Sequence, residues 1–263
     1  MDEIDRRVTE EDVEAKWAEI SPLIERVTVR IGTPSEFPVG STSSLAGDDA
    51  ASAPYQVSHC VRMCMTAGVD HLHAVKKLVV DSGFLHVAAP FSLSRGALES
   101  FAAAFWILDP PTRDVRVERV LRWNAKNFRD GERAYGRLGV AGRRSLESKL
   151  AKLQRVADAR GITERVTGGF TSTEALVHTE ENSGLKVMFP WQLCSGFAHG
   201  RPWAYLGVSD IERYGTADPG VHDLQLTSNR STVLYPALEA LHLLQVLLRV
   251  YERRANLALD RLS

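Results

Sequence analysis

The stretch LSRGALESFAAAFWIL (residues 93–108) decides the fold class. At about 100° per residue, Leu98, Phe101, Phe105 and Leu108 fall on one side of a helix and Ala102 and Trp106 on another. A helix that is apolar nearly all round belongs in the middle of a bundle. Arg95 and Glu99 interrupt it, four positions apart and in line with Ala102 and Trp106. Unpaired buried charge is costly, so two opposite charges on such a helix must pair or reach a polar cavity. Two readings are open: a structural ion pair at the helix entrance, or a pair that forms a site in a cleft.

Outward from this element the chain reads as mostly helical. Helical period and punctuation mark helices at 55–81, 90–108, 112–138, 143–160, 171–182, 190–199 and 231–259. Pro110–Pro111 and the glycines at 83, 139, 142, 161, 184 and 200 supply the stops. A further helix over 9–30 has Thr9 as its N-cap and the acidic first turn Glu10, Glu11, Asp12. Residues 31–54, rich in Gly, Ser, Pro and Ala, hold too few apolar groups to offset the entropy of ordering them and are expected to be a mobile linker. Two alternating runs around TADPG, within 203–229, are expected to form a β-hairpin. The expectation is a mainly α protein: an N-terminal helix (1–30), a flexible linker (31–54) and a helical-bundle domain (55–263) with a small hairpin near its C-terminal end.

With 263 residues, 44% hydrophobic and 25% charged, the chain is neither disordered nor collagen-like. Its longest uninterrupted apolar run, Phe101 to Leu108, falls far short of the ~20 residues that span a bilayer. The acidic N-terminus lacks the apolar core of a signal peptide. Three cysteines, Cys60, Cys64 and Cys194, are too few and odd in number for a disulfide framework. A cytoplasmic protein with no membrane partner is expected. The formal charge of −1 argues against a dedicated high-affinity DNA binder.

The second landmark is FPWQLCSGFAHGRPW (189–203). Pro190 suits a first helical position, and Gly200 is placed to end the helix in a left-handed conformation. Gln192, Ser195 and His199 recur at i, i+3 and i+7 and make one polar edge, with Arg201 immediately after. His199 is either a residue compensating the helix dipole or a working imidazole. The context CSGFA is not the GxSxG of a hydrolase nucleophile.

A third feature is basic. Arg119, Arg122, Lys126, Arg129, Arg133 and Arg137 lie within a sector of about 80° on one helix. Residues 111–160 carry 14 basic against 6 acidic side chains. The stripe could follow an RNA backbone, remain a solvated face, or dock the acidic N-terminal helix. Metal binding is disfavoured, since Cys60 and Cys64 with His59 have no second ligand pair. No phosphate-loop motif occurs. His242, amid LEALHLLQVLL, reads as a core histidine.

The Arg–x–x–x–Glu helix (Arg95, Glu99, Trp106, Asp109, Pro110) together with the later Ser–x–x–x–His–Gly helix (Ser195, His199, Gly200) resembles bacterial helical proteins distantly similar to the HEPN superfamily. The resemblance covers residues 55–260. It implies a helical bundle, often dimeric, and in many members a ribonuclease of toxin–antitoxin or phage-defence systems that needs neither metal nor other cofactor. The usual signature there is an Arg, a polar residue and a His within one helix. The His carries over to His199. No Arg precedes it in that helix, so Arg95 or Arg201 would have to replace it through tertiary proximity. In that reading Glu99 orients the arginine, Ser195 fixes the imidazole, and the basic stripe borders the same groove. The alternative is a non-catalytic helical protein-interaction module, with Arg95 and Glu99 internal and mutually satisfied. Candidate partners are RNA, a protein, or a second copy of the chain.

Overall fold

The computed structural model describes residues 8–33, 35–139 and 144–257. Its helices are α1 (Glu10–Gly32), α2 (Ser44–Ser52), α3 (Val57–Lys76), α4 (Ala89–Leu108), α5 (Arg113–Arg137), α6 (Leu146–Asp158), α7 (Ser172–Ser183), α8 (Met188–Ala198), α9 (Pro202–Val208) and α10 (Arg230–Ala255). A two-stranded antiparallel hairpin, β1 (Asp210–Gly215) and β2 (His222–Thr227), lies between α9 and α10. The protein is mainly α with a small hairpin near its C-terminal end.

Helix α4 is the axis, packed against α3, α7, α8 and α10. From Phe101 to Leu108 every one of its residues is buried. Two glycines bring α3 and α4 unusually close. A Cβ on Gly68 would stand 2.3 Å from the Phe101 ring, and one on Gly96 would stand 2.6 Å from the His71 ring. Each helix thus offers a bare notch to an aromatic side chain of the other.

Helix α1 starts as its sequence indicates, with Thr9 and Asp12 forming a reciprocal capping box. It continues through Pro22 and packs on α3 and α10, burying Trp17, Ile20 and Ile24. It is therefore part of the same core. Helix α10 starts at the Asn229 cap, whose side chain accepts from Thr232 N at 2.9 Å. By length and composition it could cross a bilayer, but most of its apolar window is buried inside the bundle. That apolarity follows from its place in the core.

Three expectations are corrected. The stretch 31–54 is not a mobile linker throughout: it contains α2 and buries Phe37, Leu45 and Asp48. The reason is a tertiary ion pair. The Asp48 carboxylate accepts Arg116 Nε at 2.6 Å and Nη2 at 2.8 Å, and Arg113 Nε at 3.2 Å. The remaining Arg116 hydrogens go to the Pro110 and Pro111 carbonyls and to Ser44 Oγ, so all five donors of this buried guanidinium are used. The hairpin begins later than expected, because Pro202 opens the short helix α9 where a strand was read. His242 is 40% exposed beside Glu239 and lies outside the core.

Candidate functional site

The polar edge of α8 is set by how that helix ends. Gly200 takes φ +63°, its amide donates to Phe197 O, and Arg201 N donates to Gly196 O at 2.8 Å, the Schellman arrangement. This leaves His199 as the C-cap residue, exposed and free to turn toward α4. The chain then restarts immediately as α9, which is held back against α8. Tyr205 donates its hydroxyl to Phe197 O at 3.1 Å, and Phe197 itself stacks on Phe91 at 3.8 Å.

Arg95 on α4 meets His199 here. Its Nη1 donates to His199 Nε2 at 3.3 Å, although 104 positions separate the two residues. A guanidinium can only donate, so in this contact Nε2 is the accepting nitrogen. Arg95 Nε donates to Glu99 Oε1 at 3.0 Å, and Trp191 Nε1 donates to the same oxygen at 2.8 Å. Glu99 is thus clamped from α4 and α8 at once and fixes the guanidinium in turn. Arg95 and Glu99 retain 28% and 27% side-chain exposure. They are not the sealed pair that a purely internal ion pair would be.

A hollow of about 360 Å³ opens beside this pair, lined by Trp191, Gln192, Ser195, Gly196, His199, Arg201 and Trp203. His199, Arg95, Glu99, Ser195 and Arg201 are therefore gathered at one junction of α4, α8 and the start of α9. One role needs correction. The Ser195 hydroxyl makes no hydrogen bond to the imidazole among the described residues; Arg95 holds the ring instead. Arg201 is exposed, with no ion-pair partner among the described residues. Buried Cys194 lies on the inner face of α8, where burial pushes its thiol far up and removes it as a nucleophile. Among the described residues no group of three His, Cys, Asp or Glu side chains could hold a metal ion.

The basic stripe is a different matter. Arg119 Nη1 donates to Trp106 O at 2.6 Å, and its guanidinium lies 5.0 Å from the Trp106 ring. Arg122 reaches Gly169 O, Glu118 and Glu174, and Arg129 holds Thr167 O through two donors. Arg122 and Arg129 tie the 166–174 segment to α5, and Arg119 ties α5 to the end of α4 and to His178 of α7. Lys126 pairs with Asp130. Only Arg133 and Arg137 stand out in solvent. The stripe also does not border the His199 hollow at its near end. Arg119 sits at Trp106, eleven residues along α4 from Arg95, or about 16 Å at 1.5 Å per residue.

Three participants escaped the sequence reading. Trp191 and Trp203 flank the polar edge, and their only signal was one tryptophan near each end of the motif. The third is a cluster at the far end of α4. His178 Nε2 lies 3.2 Å from Asp109 Oδ2, while Arg119 and the Asn182 amide approach its Nδ1 at 3.4 and 3.3 Å. Arg254 of α10 donates to the Asp109 and Pro110 carbonyls. This network pins the Pro110–Pro111 corner to α7 and α10. Comparison of the chain with protein-family models, with curated proteins and with solved structures finds no match.

Proposed function

We propose that the α4–α8 junction is the active site of a ribonuclease of the HEPN-like kind, working without a metal ion on RNA in the cytoplasm. The observation that carries this reading is the 3.3 Å approach of Arg95 to His199 at a solvent-reachable hollow. It supplies, from two helices, the Arg–His pairing that the resemblance requires in one. A phosphodiester drawn to Arg95 and Arg201 would take the Arg95 donor away from His199 and so free Nε2, the imidazole's accepting nitrogen, beside it. His199 Nε2 takes the proton of the 2′-hydroxyl as the 2′-oxygen attacks phosphorus. The P–O5′ bond breaks, and the imidazolium returns the proton to the leaving 5′-oxygen. The products are a 2′,3′-cyclic phosphate and a 5′-hydroxyl end. Arg95, held by Glu99, stabilises the charge on the phosphorane oxygens.

The test is incubation of wild type and His199→Ala with total RNA in the presence of EDTA. Cleavage by wild type alone, leaving cyclic phosphate ends, is the expected result. Equal inertness of the two proteins overturns the reading.

A second reading has its own support, an interaction module that self-associates. The hairpin presents Ile211, Leu224 and Leu226 on one face, and neither strand buries more than one residue even partly. A lone hairpin so poorly covered is marginal in water. Phe189 and Tyr235, in ring contact at 6.3 Å, are exposed as well. A homo-oligomer seen by analytical ultracentrifugation, and dispersed by Leu224→Glu, would support this face. A monomeric wild type would rule it out.

A further inference from the structure

We infer that the hollow beside His199 is a binding pocket for one unpaired nucleobase, with Trp203 as its stacking surface and Gln192 as the reader of the base edge. The inference rests on the ribonuclease reading but assigns a function to side chains that the chemistry itself leaves idle. Of the residues that line the hollow, His199, Ser195 and Arg201 belong to the proposed chemistry, and Arg95 reaches it through its bond to His199. The rest of the lining is two indoles, a carboxamide and the bare backbone of Gly196. Neither indole is needed for proton transfer or charge stabilisation.

The position of Trp203 is built into the backbone. A Cβ on Gly196 would stand 2.9 Å from Trp203 Cζ2 and 2.6 Å from the Ala204 Cβ. Only a glycine lets the indole lie down across α8 one helical turn from His199. Helix α9 is then held there through Tyr205, so the ring edge is anchored while the residue stays 54% exposed. Burying a tryptophan edge and leaving so much of its surface in water makes sense where a flat partner covers it. Trp191, which also lines the hollow, is held by its bond to the same Glu99 oxygen that accepts from Arg95.

Gln192 lies on the same polar edge as Ser195 and His199, and its carboxamide offers one donor and one acceptor to the hollow. Every unpaired base carries an adjacent donor and acceptor on its pairing edge, whereas a phosphate or a carboxylate offers acceptors only. The hollow, about 360 Å³, is near the lower end of small-ligand sites at roughly 300–1,000 Å³. It suits one extruded nucleotide and excludes a stretch of duplex. Its ring-binding walls and its cationic end are adjacent, as a base and its own phosphate are. The substrate class is therefore single-stranded RNA, gripped at the nucleotide next to the broken bond.

The experiment uses a short RNA oligonucleotide methylated on every 2′-oxygen, which cannot be cleaved, titrated into the full-length protein at physiological salt. Tryptophan fluorescence is the readout, with the same oligonucleotide carrying one abasic position as the control. Saturable quenching is expected, weakened about tenfold by Trp203→Ala, partly restored by Trp203→Phe, and weakened similarly by the abasic position. Gln192→Ala, on an exposed turn of α8, should keep quenching but change the ratio of affinities between adenine-rich and uracil-rich sequences. Equal affinity for the base-bearing and abasic strands, or no quenching at all, overturns the pocket. The two ideas fail separately. Base-dependent quenching without cleavage of ordinary RNA refutes only the ribonuclease, and His199-dependent cleavage indifferent to Trp203 refutes only the pocket.

Discussion

Arg95 does two things through two different nitrogens, and this makes it the most informative single residue to change. Nε serves Glu99 and Nη1 serves His199. A lysine keeps the charge but has one nitrogen, so it cannot hold both partners in a fixed fork. Arg95→Lys is expected to lower the rate of RNA cleavage by about a hundredfold with little change in thermal stability, as loss of positioning alone can do. Parallel measurement of cleavage and melting checks this; retention of full activity would remove Arg95 from the mechanism. Asp48 is the contrasting case, a stability residue. It is fully buried under Arg116, and Asp48→Ala leaves that guanidinium uncompensated. The expected loss is about 3–5 kcal/mol, read as a fall in melting temperature of about 10 °C.

At the scale of elements, the α3–α4 contact depends on glycine for space, whereas the outer end of α5 has glycine without need. Gly68→Ala drives a methyl group into the Phe101 ring in a core with no slack and should cost about 1–3 kcal/mol. Gly136 on α5 has nothing near its absent Cβ. Gly136→Ala should therefore stabilise by about 0.4–1 kcal/mol, chiefly by restricting the unfolded chain. Urea unfolding of the two variants gives opposite shifts in midpoint if the packing is as described. The helices were legible from sequence where one face was apolar and the ends were punctuated, as in α4, α5 and α10. Helix α2 was not. SLAGDDAAS has no apolar stripe, and Asp48 reads as a surface residue until Arg116 arrives from 68 positions away. Helix α9 was hidden for a related reason, since its short run of tyrosine, leucine and valine fits a strand as well as a turn of helix.

For the whole molecule, burial of titratable groups sets an alkaline limit. Burial pushes the Cys60 thiol up to about 11 and that of Cys64 to about 12, from an ordinary value near 9. The Tyr251 hydroxyl, which donates to Phe37 O, is likewise raised by burial to about 12. Below pH 9 both folded and unfolded chains keep these thiol protons, and stability is flat in this respect. Between about pH 9 and 12 the unfolded chain loses protons that the folded chain retains. Binding fewer protons in the unfolded state means that stability falls as pH rises. Urea midpoints should thus decline from pH 8.5 to pH 10.5. A thiol reagent at pH 8 should label none of the three buried cysteines until denaturant is added.

The sequence by itself determined the fold class, because helical periodicity, caps and proline or glycine stops are local properties written within about fifteen residues. It also named five of the side chains that meet at the junction, though not Trp191 or Trp203, since unusual charges on an apolar helix and a polar edge ending in His–Gly are visible one element at a time. Only the tertiary structure decided which of these touch. It joined Arg95 to His199, gave Glu99 to Trp191, and withdrew Ser195 from the imidazole. It turned half of the cationic stripe inward, Arg122 and Arg129 onto the 166–174 segment and Arg119 onto Trp106 and His178. A helix face specifies what is offered, but the crossing of α4 and α8 and the turn at Gly200 specify what is met. Those follow from packing across a hundred residues, which no local pattern records.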